Sequence, residues 1–340
     1  MKAGITTRGI TYAAIDEHMI HFYSPKAGDV ALFQVQSIGK HDSIQNTTGN
    51  NSYLFEGDQF LGVFGSRYAT EQFEGYVPES PELELEILGK GGVVGKLASM
   101  HVKLQDAGPT VVKLVGYAVD IRGKVVNSIY NNKAQVLFRG TKNTNFQTIL
   151  SLGCSMDSGK TTTAAYLCRS LQKKGYRVAF IKLTGTYYTR DRHYVNDCGA
   201  DYAIDFGMAG YPSTHLLEIH ELLNLYQFLI DDVARQKPDF VVIEIADGIL
   251  QRETEMLLNH KLFSSQIDDV VFSGLDSLSV LYAIDKLSSI DLKPKAICGV
   301  FTMAPLLIKE VSSRTEVPVL TLDELEKTEL FAHSKLAMVS

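Results

Sequence analysis

The chain has 340 residues, of which 45% are hydrophobic and 21% are charged, a composition typical of a folded protein with room for two domains. Its 33 basic and 39 acidic side chains give a net charge of −6 without a dense run of Lys and Arg, which argues against a nucleic-acid groove. Residues 1–20 contain no long apolar core, so neither a signal peptide nor a membrane span is expected.

The four cysteines are spread along the chain, at Cys154, Cys168, Cys198 and Cys298. They show neither Cys-x-x-Cys pairing nor the spacing of zinc ligands. Free thiols of this kind are typical of a reducing compartment. We therefore expect a cytoplasmic protein that does not associate with membranes.

Residues 1–142 are rich in short β-forming segments separated by turn clusters. Several short strands at this spacing favour a small barrel or sandwich. We predict that this part is a separate domain that selects a substrate or a partner. The predicted strands are 30–35, 60–64, 83–88, 110–119 and 134–138.

The glycine-rich segment 89–96 of this part resembles a phosphate-binding loop only superficially. Leu97 follows Lys96 at the position where a metal-binding hydroxyl is needed. We interpret the segment as a hairpin turn. The polar stretch 131–145 predicts the boundary between two domains, 1–142 and 143–340.

The segment 153–162, Gly-Cys-Ser-Met-Asp-Ser-Gly-Lys-Thr-Thr, lies between an apolar run, 146–152, and a segment with helical spacing, 162–174. A strand, a glycine-rich turn and a helix are the context in which such a loop binds phosphate. Backbone amides and the helix N-terminus would face an anion, Lys160 would reach the β- and γ-phosphates, and the Thr161 hydroxyl would bind Mg²⁺. The residues predicted to bind the nucleotide are Gly153, Ser155, Asp157, Ser158, Gly159, Lys160, Thr161 and Thr162.

After this loop, predicted strands and helices alternate. Nearly continuous apolar runs in the strands indicate burial on both faces, so we predict an α/β fold with a mainly parallel sheet wrapped by helices. The predicted strands are 176–183, 240–245, 269–273, 296–301 and 317–322. The predicted helices are 215–235, 275–287, 305–313 and 322–336.

Ligands of such sheets lie at the carboxyl ends of the strands. Three strand ends of this part carry polar groups: Lys182, the segment 190–201 interpreted as a loop, and Glu244 at the tip of an apolar strand. Together with the phosphate loop, Glu244 is predicted to bind Mg²⁺. Lys182, with Thr184, Thr186 and Arg190, is predicted to hold an anionic acceptor.

The loop spacing, with five residues between Gly153 and Gly159 and an acid at Asp157, resembles that of dethiobiotin synthetase. Lys182 is similar to the lysine that contacts substrate and phosphate in that family. Glu244, followed by Gly248, is similar to the family's strand end whose glutamate binds Mg²⁺.

The segment from Lys182 through Asp191 to Gly199 and Ala200 resembles the molybdopterin-guanine-dinucleotide adaptor proteins (the MobB-like group), in which an aspartate precedes a Gly-Ala pair by eight residues. Residues 143–340 thus resemble a P-loop NTPase of the SIMIBI group. The resemblance implies that Lys160, Lys182 and Asp191 act in catalysis, and that Thr161, Asp191 and Glu244 bind the metal.

The chain departs from these families at four places. The Asn-Arg pair that the synthetase uses near the adenine is absent from 299–303. Ser155 stands where the MinD and ParA branch has its signature lysine, and Asp247 replaces a glycine of the synthetase motif. The β-rich part has no counterpart in the synthetase.

Three functions are compatible with these patterns. The first is an enzyme that uses ATP and Mg²⁺ to phosphorylate or activate a small anionic metabolite, as a kinase or a ligase does. The second is a nucleotide-binding switch or adaptor whose β-rich domain binds a partner, and the third is a group transferase whose loop binds the phosphates of a coenzyme such as coenzyme A. The guanine-reading sequence Asn-Lys-x-Asp is not found, which favours ATP over GTP. Homodimer formation is left open.

Overall fold

The structure, a computed structural model, describes residues 1–131 and 136–331. The chain divides into two compact units. Unit 1 comprises 1–135, 185–189 and 206–216, and unit 2 comprises 136–184, 190–205 and 217–340. The roles predicted above for 1–142 and 143–340 stay predictions.

Unit 1 is built mainly of short strands. In chain order they are β1 (Lys2–Ala3), β2 (Ala14–Asp16), β3 (Val30–Ser37), β4 (Ser43–Gln45), β5 (Asn51–Tyr53), β6 (Gln59–Phe64), β7 (Phe73–Tyr76), β8 (Glu84–Gly89), β9 (Val93–Met100) and β10 (Val111–Val119). Helix α1 (Ser128–Asn131) follows, and 3₁₀ turns lie at Ile5–Thr7, Met19–His21, Val102–Leu104 and Phe206–Ala209.

Five of these strands close into a barrel. β3 pairs antiparallel with β6 and β10, and β8 pairs antiparallel with β10 and β9. A parallel pairing of β6 with β9 completes the ring. Closure removes the open sheet edges that would otherwise expose unpaired backbone groups, and the predicted alternative of a barrel is the one that the structure shows.

Residues of β3 alternate between two buried clusters. Ala31, Phe33 and Val35 belong to one cluster, whereas Val30 and Leu32 belong to another on the opposite face. Side chains of a strand point alternately to its two faces. Both faces of β3 are therefore covered in its first half, which explains the continuous apolar run 30–33.

Two short segments that are distant in sequence from residues 1–131 also belong to unit 1. The Thr189 amide donates a hydrogen bond to Gln45 Oε1 over 3.0 Å, and the Tyr187 amide donates to the Pro212 carbonyl over 2.9 Å. A Cβ atom on Gly91 would overlap the Tyr187 carbonyl, so glycine allows the close approach of these two backbone segments.

Unit 2 contains the alternating elements. Its strands are β11 (Gln147–Gly153), β12 (Val178–Lys182), β13 (Tyr202–Asp205), β14 (Phe240–Glu244), β15 (Asp269–Ser273) and β16 (Ala296–Cys298). Its helices are α2 (Lys160–Lys173), α3 (Arg190–Cys198), α4 (Ile219–Ala234), α5 (Arg252–Asn259), α6 (Lys261–Ser264), α7 (Ser277–Ser288), α8 (Pro305–Ser312) and α9 (Leu322–Lys327), with a 3₁₀ turn at Val300–Met303.

The six strands form one parallel sheet in the order β13-β12-β14-β11-β15-β16. All five residues of β14 are buried, as expected for a central strand covered on both faces. Helix α2 contributes Ala164, Leu167, Cys168 and Leu171 to the same core. Their spacing places them on one side of the helix.

Several predicted elements differ from those observed. Segment 190–201 contains helix α3 rather than a loop, and 317–322 makes only a single bridge, Ile297 to Val319, instead of a strand. The predicted strand 134–138 is absent at 136–138, and its first two residues lie outside the described part. The helix predicted at 322–336 ends at Lys327, and 332–336 are not described. Strand β13 and helix α5 were not predicted.

The segment 89–96 is confirmed as a hairpin, because β8 and β9 pair antiparallel around it. Among the described residues, no helix combines the length and apolar character needed to cross a bilayer.

Candidate functional site

The predicted phosphate loop connects the end of β11 to the start of α2. Gly159 precedes the helix with φ of 96° and Asp157 has φ of 59°, so two residues of the turn adopt the left-handed region that glycine enters most easily. A Cβ atom on Gly153 would overlap Ser158 Oγ and lie 2.7 Å from Lys160 Cγ. Glycine at 153 and 159 is thus required by the shape of the loop.

Lys160 is the first residue of α2 and lies beneath the loop. Its side chain donates a hydrogen bond to the Ser155 carbonyl over 2.6 Å, and it lies 3.5 Å from Ser158 Oγ. Only 6% of the residue is exposed. Burial lowers the pKa of its ammonium group, and neighbouring carboxylates, first that of Glu244, oppose this shift. A phosphate group offers the ammonium a stronger, charged acceptor than a carbonyl does.

The hydroxyl and the carboxylate predicted to bind metal lie together. Thr161 Oγ1 donates a hydrogen bond to Glu244 Oε1 over 3.0 Å, which links the first turn of α2 to the end of β14. Glu244 is 1% exposed, and its Oε2 has no hydrogen-bond partner among the described residues. A buried carboxylate oxygen without a donor is costly, and oxygen ligands of this kind suit Mg²⁺.

Asp191 and Lys182 complete a charged cluster with Glu244. Lys182 forms ion pairs with Asp191 and, at 3.3 Å, with Glu244 Oε1. Burial by itself lowers the pKa of Lys182, but the carboxylates of Asp191 and Glu244 outweigh burial and raise the pKa above its usual range. The side chain therefore remains a cation.

The register of the sheet explains why these groups meet. Lys182 is the β12 partner of Glu244 on β14, and on its other side it is the partner of Asp205 on β13. Register partners in adjacent parallel strands point to the same face. Arg192 of α3 lies 3.6 Å from Asp205 and supplies a second cation at this edge.

Segments at the ends of three other strands hydrogen-bond to the phosphate loop, and the sequence alone does not predict these contacts. The Ile249 amide donates to the Gly153 carbonyl, the Cys154 amide donates to the Ser273 carbonyl, and the Val300 amide donates to the Ser158 carbonyl, each over 3.1 Å. A glycine follows the end of each of these strands, at Gly248, Gly274 and Gly299. A Cβ atom would overlap backbone atoms at Gly248 and Gly299, and the Val280 side chain at Gly274.

The remaining predicted residues occupy varied environments. Ser155 donates to the Met156 carbonyl over 3.0 Å, Asp157 is exposed, and Thr162 is half-buried in the first turn of α2. Thr184 Oγ1 accepts a hydrogen bond from the Ala246 amide over 2.8 Å, a structural role. Arg190 is exposed at the start of α3, whereas Thr186 belongs to unit 1 and bridges to Ser213.

A parallel sheet with a phosphate loop between β11 and α2, and with an acid at the end of the neighbouring strand β14, is the P-loop NTPase fold. It follows a β-rich unit in the chain, as the sequence predicts. The fold is assigned from the strand order and from the loop itself.

No model of a known protein family matches the chain, and no curated protein matches its sequence. Among solved structures, it is similar to the signal recognition particle receptor FtsY from Elizabethkingia anophelis in complex with GDP. The likeness covers 62% of this chain and 75% of the receptor chain, with 15% identity and a TM-score of 0.39.

Two further structures show a similar degree of likeness. The signal recognition particle 54 kDa protein from Aeropyrum pernix K1 in complex with GDP is 16% identical over 58% of this chain and 47% of its own, with a TM-score of 0.37. FtsY from Mycoplasma mycoides is 12% identical over 60% of this chain and 74% of its own, with a TM-score of 0.35.

The acidic groups of the site are few. Within the described residues, no three His, Cys, Asp or Glu side chains are grouped so that they could hold a metal ion. Glu244 and Thr161 supply a carboxylate and a hydroxyl, and the second carboxylate, Asp191, is paired with Lys182. Mg²⁺ is commonly held by one or two carboxylates together with substrate phosphates, so the donors fit a metal that arrives with a nucleotide.

Proposed function

We propose that the loop 153–162 binds a nucleoside triphosphate together with Mg²⁺, and that the chain is a nucleotide-dependent switch that hydrolyses the terminal phosphate. The observation that supports this proposal is the hydrogen bond between Thr161 and Glu244, beside the Lys160 ammonium. It brings a phosphate-binding cation, a metal-binding hydroxyl and a metal-binding carboxylate to one end of one sheet.

Each group has a distinct task in this proposal. Lys160 donates to phosphate oxygens, and the N-terminus of α2 adds the partial positive charge of its dipole. Thr161 and Glu244 would hold Mg²⁺, which when bound neutralises phosphate charge. In hydrolysis, a water oxygen bonds to the γ-phosphorus, the bond to the bridging oxygen breaks, and the water proton leaves with the released phosphate.

The ion pairing of Lys182 favours a switch over a small-molecule kinase or ligase. Its ammonium is paired with Asp191 and Glu244, so it does not offer an unpaired cation to an anionic acceptor. The barrel unit is then proposed as the module that binds a partner. ATP is the proposed nucleotide, since the chain lacks the Asn-Lys-x-Asp sequence that reads guanine.

A second use of the same site is phosphorylation or activation of a small anionic metabolite. The feature that favours it is Arg190, an exposed cation directly beside Asp191. The dethiobiotin-synthetase-like and MobB-like assignments correspond to these two uses, with a ligase acting on a metabolite and an adaptor acting on a partner. Binding of coenzyme A at the loop is the third alternative.

Binding and turnover measurements on the full chain test these proposals. Fluorescent analogues of ATP and GTP, and coenzyme A, are titrated with and without Mg²⁺, and phosphate release is followed alone and with metabolite pools. We expect Lys160→Ala to weaken ATP binding about 10- to 100-fold, because charge-assisted hydrogen bonds contribute roughly 1.5–3 kcal/mol each.

Lys173→Ala is the matched control, since Lys173 lies in the last turn of the same helix with 52% of its side chain exposed. It should bind ATP like the wild type. Equal binding of ATP by Lys160→Ala and the wild type would exclude the nucleotide site. Product formation that requires a metabolite would favour the kinase or ligase, and tight binding of coenzyme A alone would favour the transferase.

A further inference from the structure

The Lys182 ammonium and a metal ion bound at Glu244 would compete for the same carboxylate. Glu244 Oε1 accepts hydrogen bonds from Thr161 Oγ1 at 3.0 Å and from Lys182 Nζ at 3.3 Å. The Lys182 ammonium also pairs with Asp191, and the side chain is 13% exposed. The cation is therefore held between the two carboxylates at this end of β12 and β14.

Lys182 cancels one of the two carboxylate charges that would otherwise attract a divalent ion arriving alone. Glu244, Asp191 and Lys182 together carry a formal charge of −1 − 1 + 1 = −1, and the neighbouring Arg192 and Asp205 offset each other. A free Mg²⁺ would approach an ammonium group in a poorly solvated site, where repulsion between like charges is strong. Mg²⁺ also gives up its water reluctantly and needs several oxygen ligands.

A bound triphosphate would change the balance of charges around Glu244. It would bring several negative charges to Lys160 and the loop, and it would offer phosphate oxygens to both the metal and Lys182. Lys182 is fixed to Glu244 by strand register, so its ammonium can leave only by rotation of its long side chain and not by sliding of β12.

We propose that Lys182 makes metal binding conditional on the nucleotide: its ammonium neutralises Glu244 and Asp191 in the nucleotide-free chain, and it leaves Glu244 when the metal arrives with a triphosphate. The inference rests on the proposed function, because it concerns the same site. It assigns to Lys182 a metal-selecting role in place of the acceptor-binding role that the sequence predicts.

The test measures metal binding in the absence of nucleotide. Mn²⁺ serves as a paramagnetic probe in place of Mg²⁺, and free Mn²⁺ is quantified by electron paramagnetic resonance during titration of the full chain. The wild type should bind Mn²⁺ at least tenfold more weakly without ATP than with it. Lys182→Met should bind Mn²⁺ at least tenfold more tightly than the wild type when no nucleotide is present.

Three variants make the result specific. Lys295→Met removes a lysine that pairs with the half-buried Asp269 at 2.9 Å on β15, and it should leave Mn²⁺ binding unchanged. Lys182→Arg keeps the cation and should behave like the wild type. Adding Glu244→Gln to Lys182→Met should abolish the gained affinity.

Two results would overturn the inference. One is a folded Lys182→Met variant whose affinity for Mn²⁺ without nucleotide lies within twofold of that of the wild type. If Lys182→Met does not fold, Lys182→Gln takes its place, and it too should bind Mn²⁺ at least tenfold more tightly than the wild type. The other, which needs no variant, is tight Mn²⁺ binding by the nucleotide-free wild type. Binding of fluorescent ATP in the presence of a chelator is measured separately, so loss of nucleotide binding is distinguished from loss of metal selection.

Discussion

Thr161 and Glu244 are 83 positions apart in the chain, and the hydroxyl of the first donates a 3.0 Å hydrogen bond to the carboxylate of the second. The pairing of β11 with β14 brings them together, because it sets Ser151 opposite Glu244 in the sheet. The start of α2 and the end of β14 therefore present one oxygen-rich corner to the phosphate loop.

The Thr161 hydroxyl is expected to matter for metal-dependent binding in particular. Thr161→Val keeps the shape of the side chain and removes the oxygen ligand, so the gain in ATP affinity on adding Mg²⁺ should fall about tenfold, which corresponds to roughly 1.4 kcal/mol. Affinity in the presence of a chelator should change less than twofold. Titrations of a fluorescent ATP analogue with Mg²⁺ and with a chelator measure both quantities.

Thr161→Ser is the control for this substitution, since it retains the hydroxyl. It should keep most of the Mg²⁺ effect. A Thr161→Val variant with a full Mg²⁺ effect would remove Thr161 from the metal site.

Gly248 is expected to be required for the shape of the phosphate loop. A Cβ atom at this position would overlap the Cys154 carbonyl and lie 3.2 Å from Ser155 Cα, so Gly248→Ala must push the loop away from β14. We expect ATP affinity to fall at least tenfold, and calorimetric titration measures this loss.

Gly175→Ala is the matched control for Gly248→Ala. Gly175 follows α2 with φ of 86° and has open space where a Cβ would lie. This change should cost about 1 kcal/mol of stability through backbone strain alone, and it should leave ATP affinity unchanged. If Gly248→Ala bound ATP as tightly as Gly175→Ala and the wild type do, the loop would tolerate the displacement and the prediction would be wrong.

His41 of unit 1 is expected to make the chain less stable in acid. Burial, with a further contribution from Arg67, lowers the pKa of His41 from 6.5 to about 3, so the folded chain keeps the imidazole neutral while the unfolded chain protonates it. Stability from this group is fully present above pH 6.5 and is lost as the pH falls towards 3, by at most about 1.4 kcal/mol per pH unit.

Urea unfolding followed by circular dichroism between pH 7 and pH 5 measures this dependence. The slope should be smaller in His41→Gln, and the difference between the two proteins isolates the imidazole. Asp29 and Glu86, whose pKa values burial raises, act equally in both. Identical slopes would contradict a buried neutral His41.

Cys298 is expected to lower stability in alkali. It lies in β16 with its side chain enclosed, and burial raises the pKa of its thiol from 9.0 to about 12. The unfolded chain therefore loses the proton first, and stability present below pH 9 is lost between pH 9 and pH 12, again by at most about 1.4 kcal/mol per pH unit.

Thermal unfolding at pH 8, 9 and 10 measures this effect under reducing conditions. Cys298→Ala should reduce the pH dependence, and the buried Cys168 thiol, whose pKa burial also raises, acts equally in both proteins. A Cys298→Ala variant with an unchanged dependence would show that the thiol does not contribute.

The sequence predicted the site best where the pattern is local. Loop 153–162 and the apolar strand before Glu244 can be recognised because each consists of consecutive residues with a characteristic order. Helix α3 was missed because only Val195 of its nine residues is buried, so it lacks the apolar periodicity that indicates a helix. Strand β13, with four residues and two of them half-buried, carries an equally weak signal.

The sequence alone determined that a strand, a phosphate loop and a helix follow one another, and that an acid ends a later apolar strand, since these features depend only on neighbouring residues. Only the tertiary structure decided that Lys182 is held between Asp191 and Glu244, that the loops after β14, β15 and β16 brace the phosphate loop, and that 185–189 and 206–216 belong to the barrel unit. These arrangements depend on strand order and register, which join residues far apart in the chain and leave no local pattern.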